Sequence, residues 1–138
     1  ERMDDWNMPT RRRNAAILTR GLAGLPGLET PRVSPGTSHA FNLFTIRLNP
    51  NVLRMSRAEF QKALVRRGVE TAVHYPLPLH RQPIFQGYGT DREFPVSTHL
   101  AETVLSLPVH PGLGQRDLLL IIRAVRDVVE SSVGIPRT

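Results

Sequence analysis

Residues 56–73 read SRAEFQKALVRRGVETAV, a helical pattern that runs directly into a strand pattern. Ser56 and Glu59 form an S-x-x-E capping box, in which each side chain satisfies a free backbone N–H at the start of a helix. Gly68 offers the left-handed residue that ends many helices, and VETAV (69–73) predicts a strand. The inner face of this helix is predicted to consist of Phe60, Ala63, Leu64 and Arg67.

The segments on either side of this unit supply the remaining secondary structure. They predict a helix at 9–27, a buried strand at 40–49, a helical turn at 83–89, a helix from 97 that gives way to a strand around Leu105–Leu107, and an amphipathic helix at 115–131. Helices and strands therefore alternate, with the strands well separated along the chain. This order predicts an α+β fold in which helices pack on one face of a small, mainly antiparallel, three-stranded sheet.

The composition limits the classes of protein to which the chain can belong. Its 138 residues are the length of one domain, and the absence of cysteine excludes disulfides and thiolate chemistry. The net charge of +6 is compatible with nucleic-acid binding. However, the arginines are scattered and are not interleaved with aromatic residues, so we expect no nucleic-acid partner. No apolar run is long enough to span a membrane and no export signal is visible, so we expect a cytoplasmic location and no membrane contact.

The segment HYPLPLHRQP (74–83) combines two histidines, a tyrosine and three prolines. Its histidines, His74 and His80, do not have the spacing of a metal-binding pair on a helix or strand, and residues 71–90 after Glu70 contain no carboxylate. We therefore expect no metal. Proline fixes φ and holds the preceding residue extended, so the segment is predicted to be a rigid loop at a strand end. Such a loop either has a purely structural role or presents binding residues to a ligand.

A complete catalytic site is not visible in this sequence. Ser97 and Ser106 lack the context of a nucleophile elbow, and Glu102 has no paired carboxylate. Lys62 is the only lysine and lies two residues from Phe60 on the predicted helix, which places it on the solvent-facing side. We therefore assign no catalytic residue to this chain.

Four stretches occur in one order and at compact spacing: LPGLETPRV (25–33), HAFNLFTIRL (39–48), the long stretch from Met55 to Gln86, and the stretch from Phe94 to Val125. Together they resemble the C-terminal domain of the DegT–DnrJ family of PLP-dependent sugar aminotransferases. HYPLPLH and LSLPVHPGL are the most specific pieces. By this resemblance, residues 1–26 would be an inter-domain helix and residues 27–138 the small domain of a fold-type I aminotransferase.

The resemblance also implies a function. Family members are usually homodimers in which a large domain binds PLP, and they transfer an amino group to a nucleotide-linked keto-sugar. That large domain is absent from this chain, which would be inactive alone. The best candidates for substrate contact are His80 first, then Tyr75 and His74, with Asn42 on the preceding strand.

Two positions depart from the family pattern. Phe41 and Asn42 stand where the family tends to have an aromatic residue and a histidine, which puts the polar contact at Asn42 in doubt. Thr98 stands where the family often has a glutamate before a helix, and this predicts a weaker structural pairing there. The alternative function is a non-catalytic interaction or regulatory domain that reuses the fold. An arginine-rich nucleic-acid binder is a further alternative.

Overall fold

The computed structural model describes residues 3–133, which form five α-helices and a three-stranded antiparallel sheet. The helices are α1 (Met8–Leu22), α2 (Pro50–Leu53), α3 (Arg57–Val65), α4 (Pro95–Thr103) and α5 (Gln115–Val133). The strands are β1 (Leu28–Glu29), β2 (Phe44–Leu48) and β3 (Val104–Leu107), with β2 in the centre. A π-helical turn, Met3–Asn7, precedes α1, and 3-10 turns lie at Leu79–Arg81 and Pro83–Phe85. The predicted α+β class is confirmed.

The central strand β2 shows why one face of the sheet carries the core. Phe44, Ile46 and Leu48 are buried, whereas the alternating Thr45 and Arg47 are half-buried and exposed. Successive side chains of a strand point to opposite faces, so this alternation directs the three apolar residues into one layer. Across the sheet Ile46 pairs with Leu105 of β3. At the edge, Arg47 pairs with Glu29 of β1 and forms an ion pair of 2.6 Å with it.

The helices α1, α3 and α5 pack against this layer and complete a single core. Leu18 and Leu22 of α1, Phe60 of α3 and Val125 of α5 are almost fully buried in it. The inter-domain helix expected at residues 1–26 therefore contributes to the same core as the rest of the chain. In α5 the buried positions include 118, 121, 125, 128 and 129, as the amphipathic pattern predicts.

The capping box at the start of α3 is present. The Ser56 backbone N–H donates to the Glu59 carboxylate at 2.7 Å, and the Ser56 hydroxyl accepts from the Glu59 N–H at 3.3 Å. Phe60, Ala63 and Leu64 are buried, whereas Lys62 is exposed as expected. Gly68 follows the helix with φ of 76°, a left-handed conformation that costs glycine little.

The strand predicted at 69–73 is wrong. Ala72 alone pairs with Ser106, through N–H to carbonyl bonds of 3.1 and 2.8 Å, and forms an isolated bridge next to β3. The third strand is instead β1, whose two residues are too few to show a period of two. Val69 is buried in the core. β-Branched residues such as Val69 favour strands mainly because they pack well on a partly buried surface. Val69 packs in the core without belonging to a strand.

Several element boundaries also differ from the sequence prediction. The predicted strand at 40–49 begins only at Phe44, because Phe41 has φ of 49° and interrupts the extended backbone. The predicted helix at 9–27 ends at Leu22. The short helix α2 was not predicted; Asn49 caps its start, and the Asn49 side chain accepts hydrogen bonds from the backbone of Asn51 and Val52. The turn predicted at 83–89 is limited to Pro83–Phe85.

Candidate functional site

A cavity of about 480 Å³ lies between the proline-rich loop and helix α4. The loop contributes both histidines and the tyrosine of HYPLPLH, and α4 together with the start of β3 contributes a mostly apolar wall. The lining residues on the helix side are Phe94, Ser97, Leu100, Ala101 and Val104. The cavity is large enough for a small ligand and is mainly apolar with a few polar groups, which is the usual character of a binding site.

Hydrogen bonds to the backbone support both walls of this cavity. The Ala72–Ser106 bridge anchors the chain two residues before the loop begins at His74. Arg57, the first residue of α3, donates to the carbonyl of Ala101 and, at 3.4 Å, to that of Val104. The guanidinium thus ties the end of α4 to α3. The loop was predicted to follow a strand end; it follows the isolated Ala72–Ser106 bridge beside the sheet instead.

His74 and Tyr75 are exposed, as are Leu77 and Leu79 of the same loop. The Tyr75 side chain reaches solvent, with 72% of the residue exposed, and its ring meets that of His74 edge-on at 5.9 Å between centroids. The peptide bond between them is cis. Both rings line the cavity, so their phenol and imidazole groups are available to a ligand that enters it.

His80 has a different environment from the other two. Its side chain is only 6% exposed, and its Nε2 lies 2.9 Å from Asp91 Oδ1 and 3.2 Å from Thr98 Oγ1. The Phe94 ring packs against it at 5.3 Å between centroids. One ring nitrogen of His80 is therefore already occupied by the protein. His80, the first candidate for substrate contact, lines the cavity while its Nε2 contacts Asp91 and Thr98.

Asp91 is the polar centre of this region, and sequence analysis did not find it. It lies in the loop GYGTDREFP, directly after the carboxylate-free stretch 71–90. Arg81 donates to both Asp91 oxygens, at 2.8 and 2.6 Å, and approaches Glu102 of α4 at 3.5 Å. Hydrogen bonds from Arg81 and then His80 hold the pKa of the Asp91 carboxyl well below its usual range. Asp91 is thus an anion that joins two loops.

Thr98 belongs to the same cluster. Its hydroxyl donates to the Phe94 carbonyl at 3.0 Å and lies 3.3 Å from Asp91 Oδ1. Thr98 lies inside α4, one turn from its start, and not before the helix as the sequence comparison suggested. The Thr98 contact to His80 is made through a hydroxyl, and the carboxylate of the cluster belongs to Asp91; the weaker pairing expected at Thr98 stays a prediction.

Asn42 lies apart from the other predicted site residues. It lines two other cavities, one with Arg11 and Glu70 and one with Pro31 and His39. Arg11 donates to the Asn42 carbonyl at 3.2 Å. The structure therefore brings His74, Tyr75 and His80 to one cavity and places Asn42 at another surface.

The residues of this chain do not fit the role of holding PLP covalently. That role requires a lysine amine within a sheltered site. Lys62 is exposed on α3 and is not among the residues that line the cavity. Among the side chains that the structure describes, residues 5–133, no group of three His, Asp or Glu is placed to hold a metal ion.

The model of the DegT/DnrJ/EryC1/StrS aminotransferase family matches residues 1–126. The chain belongs to this family. It is 37% identical over 129 residues to dTDP-3-amino-3,4,6-trideoxy-alpha-D-glucose transaminase of Streptomyces venezuelae, covering 93% of this chain and 32% of that protein. It is also 37% identical over 116 residues to UDP-N-acetyl-3-dehydro-alpha-D-glucosamine 3-aminotransferase of Acidithiobacillus ferrooxidans, covering 84% of this chain and 29% of the relative.

The fold agrees with that of solved family members. The S. venezuelae enzyme DesV, solved with a ketimine intermediate, superposes with a TM-score of 0.85 at 36% identity. The match covers 94% of this chain and 33% of DesV. This DegT-family chain thus spans about a third of the length of the relatives that it matches. In its described part, no helix combines the length and the apolar character needed to cross a bilayer.

Proposed function

We propose that this chain is the C-terminal, small domain of a PLP-dependent aminotransferase that acts on a nucleotide-linked keto-sugar. The observation that carries the proposal is the family match over residues 1–126, to proteins about three times as long. The relatives described above are named as transaminases of nucleotide-linked sugars. They do not favour a non-catalytic regulatory domain.

In this proposal, the cavity beside the proline-rich loop contacts the sugar. Tyr75 and His74 present a phenol and an imidazole at its mouth, and prolines restrict the backbone that carries them. A rigid loop presents side chains at a low cost in conformational entropy. The chain's contribution is therefore to bind and orient the substrate. PLP would be held by the large domain, since Lys62 lies away from the cavity.

An exposed apolar segment near the cavity supports a further polypeptide partner. Between residues 75 and 96, large apolar side chains stand open to solvent: Tyr75, Leu79, Ile84, Tyr88 and Val96 are each at least 66% exposed. Apolar surface grouped in this way usually marks a contact with another protein surface. We propose that the large domain of the same enzyme covers it, within a homodimer in the cytoplasm.

The test is a conservative substitution in the full-length polypeptide that carries this chain. Tyr75→Phe removes one neutral hydrogen bond, worth about 0.5–1.5 kcal/mol. We expect kcat/KM for the keto-sugar substrate to fall roughly two- to tenfold, while the visible absorbance of bound PLP is unchanged.

Tyr88→Phe is the matched control, because Tyr88 is equally exposed on the same segment but does not line the cavity. Equal kinetics for the Tyr75 variant and the unmodified enzyme would remove Tyr75 from the site. If the full-length polypeptide transfers no amino group to any nucleotide-linked keto-sugar, the proposed function itself is wrong.

A further inference from the structure

The His80 ring is held on one of its two nitrogens by partners from two elements. Nε2 lies 2.9 Å from Asp91 Oδ1, in the loop before α4, and 3.2 Å from the Thr98 hydroxyl, in α4. The Phe94 ring packs against one face of the His80 ring and limits its rotation. Nδ1, the other nitrogen, has no hydrogen-bond partner among the described side chains of residues 5–133. The ring itself lines the cavity.

The hydrogen bonds of the cluster determine where the proton lies. Asp91 accepts two hydrogen bonds from Arg81, so it is ionised and can only accept. The Thr98 hydroxyl has two acceptors within reach, the Phe94 carbonyl at 3.0 Å and Asp91 Oδ1 at 3.3 Å, and neither of them can donate to Nε2. Nε2 must therefore be the donor to Asp91. In a neutral imidazole the other nitrogen is then an acceptor.

We propose that Asp91 is a positioning residue that fixes His80 in the Nε2–H tautomer, so that Nδ1 offers an acceptor to a donor group of the ligand in the cavity. The two ring nitrogens lie on different sides of the imidazole, and the side facing Asp91 is occupied. The ligand group is a hydroxyl or an amino group, which a sugar supplies. The identity of that ligand rests on the proposed function, whereas the tautomer does not.

The tautomer is tested on the chain itself by NMR with ¹⁵N-labelled histidine, at about pH 8.5, where histidine is ordinarily neutral. We expect a protonated Nε2 and an unprotonated Nδ1 for His80, with a slowly exchanging, downfield ring N–H proton. Asp91→Ala should abolish the slow exchange of that proton. Glu93→Ala is the matched control, because Glu93 is a carboxylate of the same loop that bonds Thr90 and not His80.

Two further variants separate positioning from general loss of structure. Arg81→Ala leaves the carboxylate on His80, so the slow ring proton should persist. The double variant Asp91→Ala, Thr98→Glu places a carboxylate at residue 98, whose hydroxyl lies 3.2 Å from Nε2 in the unmodified chain. The slowly exchanging ring proton should therefore be observed again. A protonated Nδ1 in the unmodified chain, or an unchanged ring proton in Asp91→Ala, would refute the proposal.

The consequence for binding is measured in the full-length polypeptide. Asp91→Ala should raise KM for the keto-sugar roughly two- to tenfold, the effect of one hydrogen bond, with a smaller change in kcat. Thr98→Glu should restore KM in that background. An unchanged KM would show that Nδ1 does not contact the ligand. Because the NMR result needs no activity, an inactive full-length polypeptide would refute the proposed function and leave the tautomer decided.

Discussion

The crossing of α1 and α5 depends on the absence of a side chain at Gly21. A Cβ built on Gly21 would overlap Cδ1 of Ile122 and lie 2.7 Å from its Cγ1 and 3.0 Å from its Cγ2. Ordinary carbon–carbon contacts are about 3.5–4.0 Å. Two of these atoms are attached directly to the Ile122 Cβ and cannot move away by a simple rotation at the chain end. The same backbone also accepts a hydrogen bond of 2.8 Å from Arg126 Nε.

The substitution Gly21→Ala therefore sets two effects against each other. Alanine gains up to about 1 kcal/mol of helix propensity over glycine. Overpacking a close contact costs about 1–3 kcal/mol. Because the overlap involves atoms near the Ile122 backbone, we expect the packing cost to exceed the propensity gain, with a net loss of about 1 kcal/mol in the free energy of unfolding.

The assay is urea unfolding of a double-mutant cycle, followed by far-UV circular dichroism. Ile122→Ala removes all three crowded atoms, so adding Gly21→Ala to that variant should stabilise the chain by up to about 1 kcal/mol. Gly21→Ala should thus lower the free energy of unfolding by about 1 kcal/mol when Ile122 is present and raise it by about 1 kcal/mol when it is not. The difference is a coupling free energy of about 2 kcal/mol between the two sites. Ala16→Gly, at an exposed position of the same helix, measures the propensity term alone. If Gly21→Ala has the same effect in both backgrounds, the close contact does not limit this helix crossing.

Three shorter predictions concern other parts of the chain. Ser56→Ala removes one half of the capping box with Glu59 and should lower the free energy of unfolding by about 1 kcal/mol, measured by urea titration; no change would mean that the cap does not stabilise α3. Incubation of the chain with PLP should give no visible aldimine band, and a band that disappears in Lys62→Ala would contradict the surface role of that lysine. Arg81 and then His80 lower the pKa of Asp91 below its ordinary value of 3.8, so the stability that Asp91 contributes should be complete above that pH and be lost as the pH falls further. Unfolding of the native chain and of Asp91→Ala should therefore differ most above pH 3.8 and converge in stronger acid; a constant difference would contradict the assignment.

The elements that sequence analysis predicted well are those whose signals are local. The capping box of α3 joins backbone and side chains only three residues apart. The apolar stripe of α5 repeats at the period of a single helix, so its buried face could be identified without knowing its partners. The exposure of Lys62 followed from the same periodicity.

The strand assignments failed where pairing decides the structure. VETAV (69–73) has the composition of a strand, yet only Ala72 meets a partner, and β1 at Leu28–Glu29 has two residues and no visible pattern. A strand exists only when another strand lies beside it, and that partner is 20 residues away for Leu28 and Leu48. Composition alone does not contain this information.

The sequence by itself determined the four longer helices, the α+β class and the proline-restricted backbone of the loop 74–83, because each follows from backbone preferences over a few neighbouring residues. Only the tertiary structure decided that Asp91 and Thr98 engage His80, and that Asn42 lies at a different surface. The contacts of His80 join residues that are 11 and 18 positions apart in the chain. Asn42 lines a different cavity from His80, although the family resemblance made both of them candidates for substrate contact. These positions depend on how the loops and α4 pack, which no local pattern in the chain records.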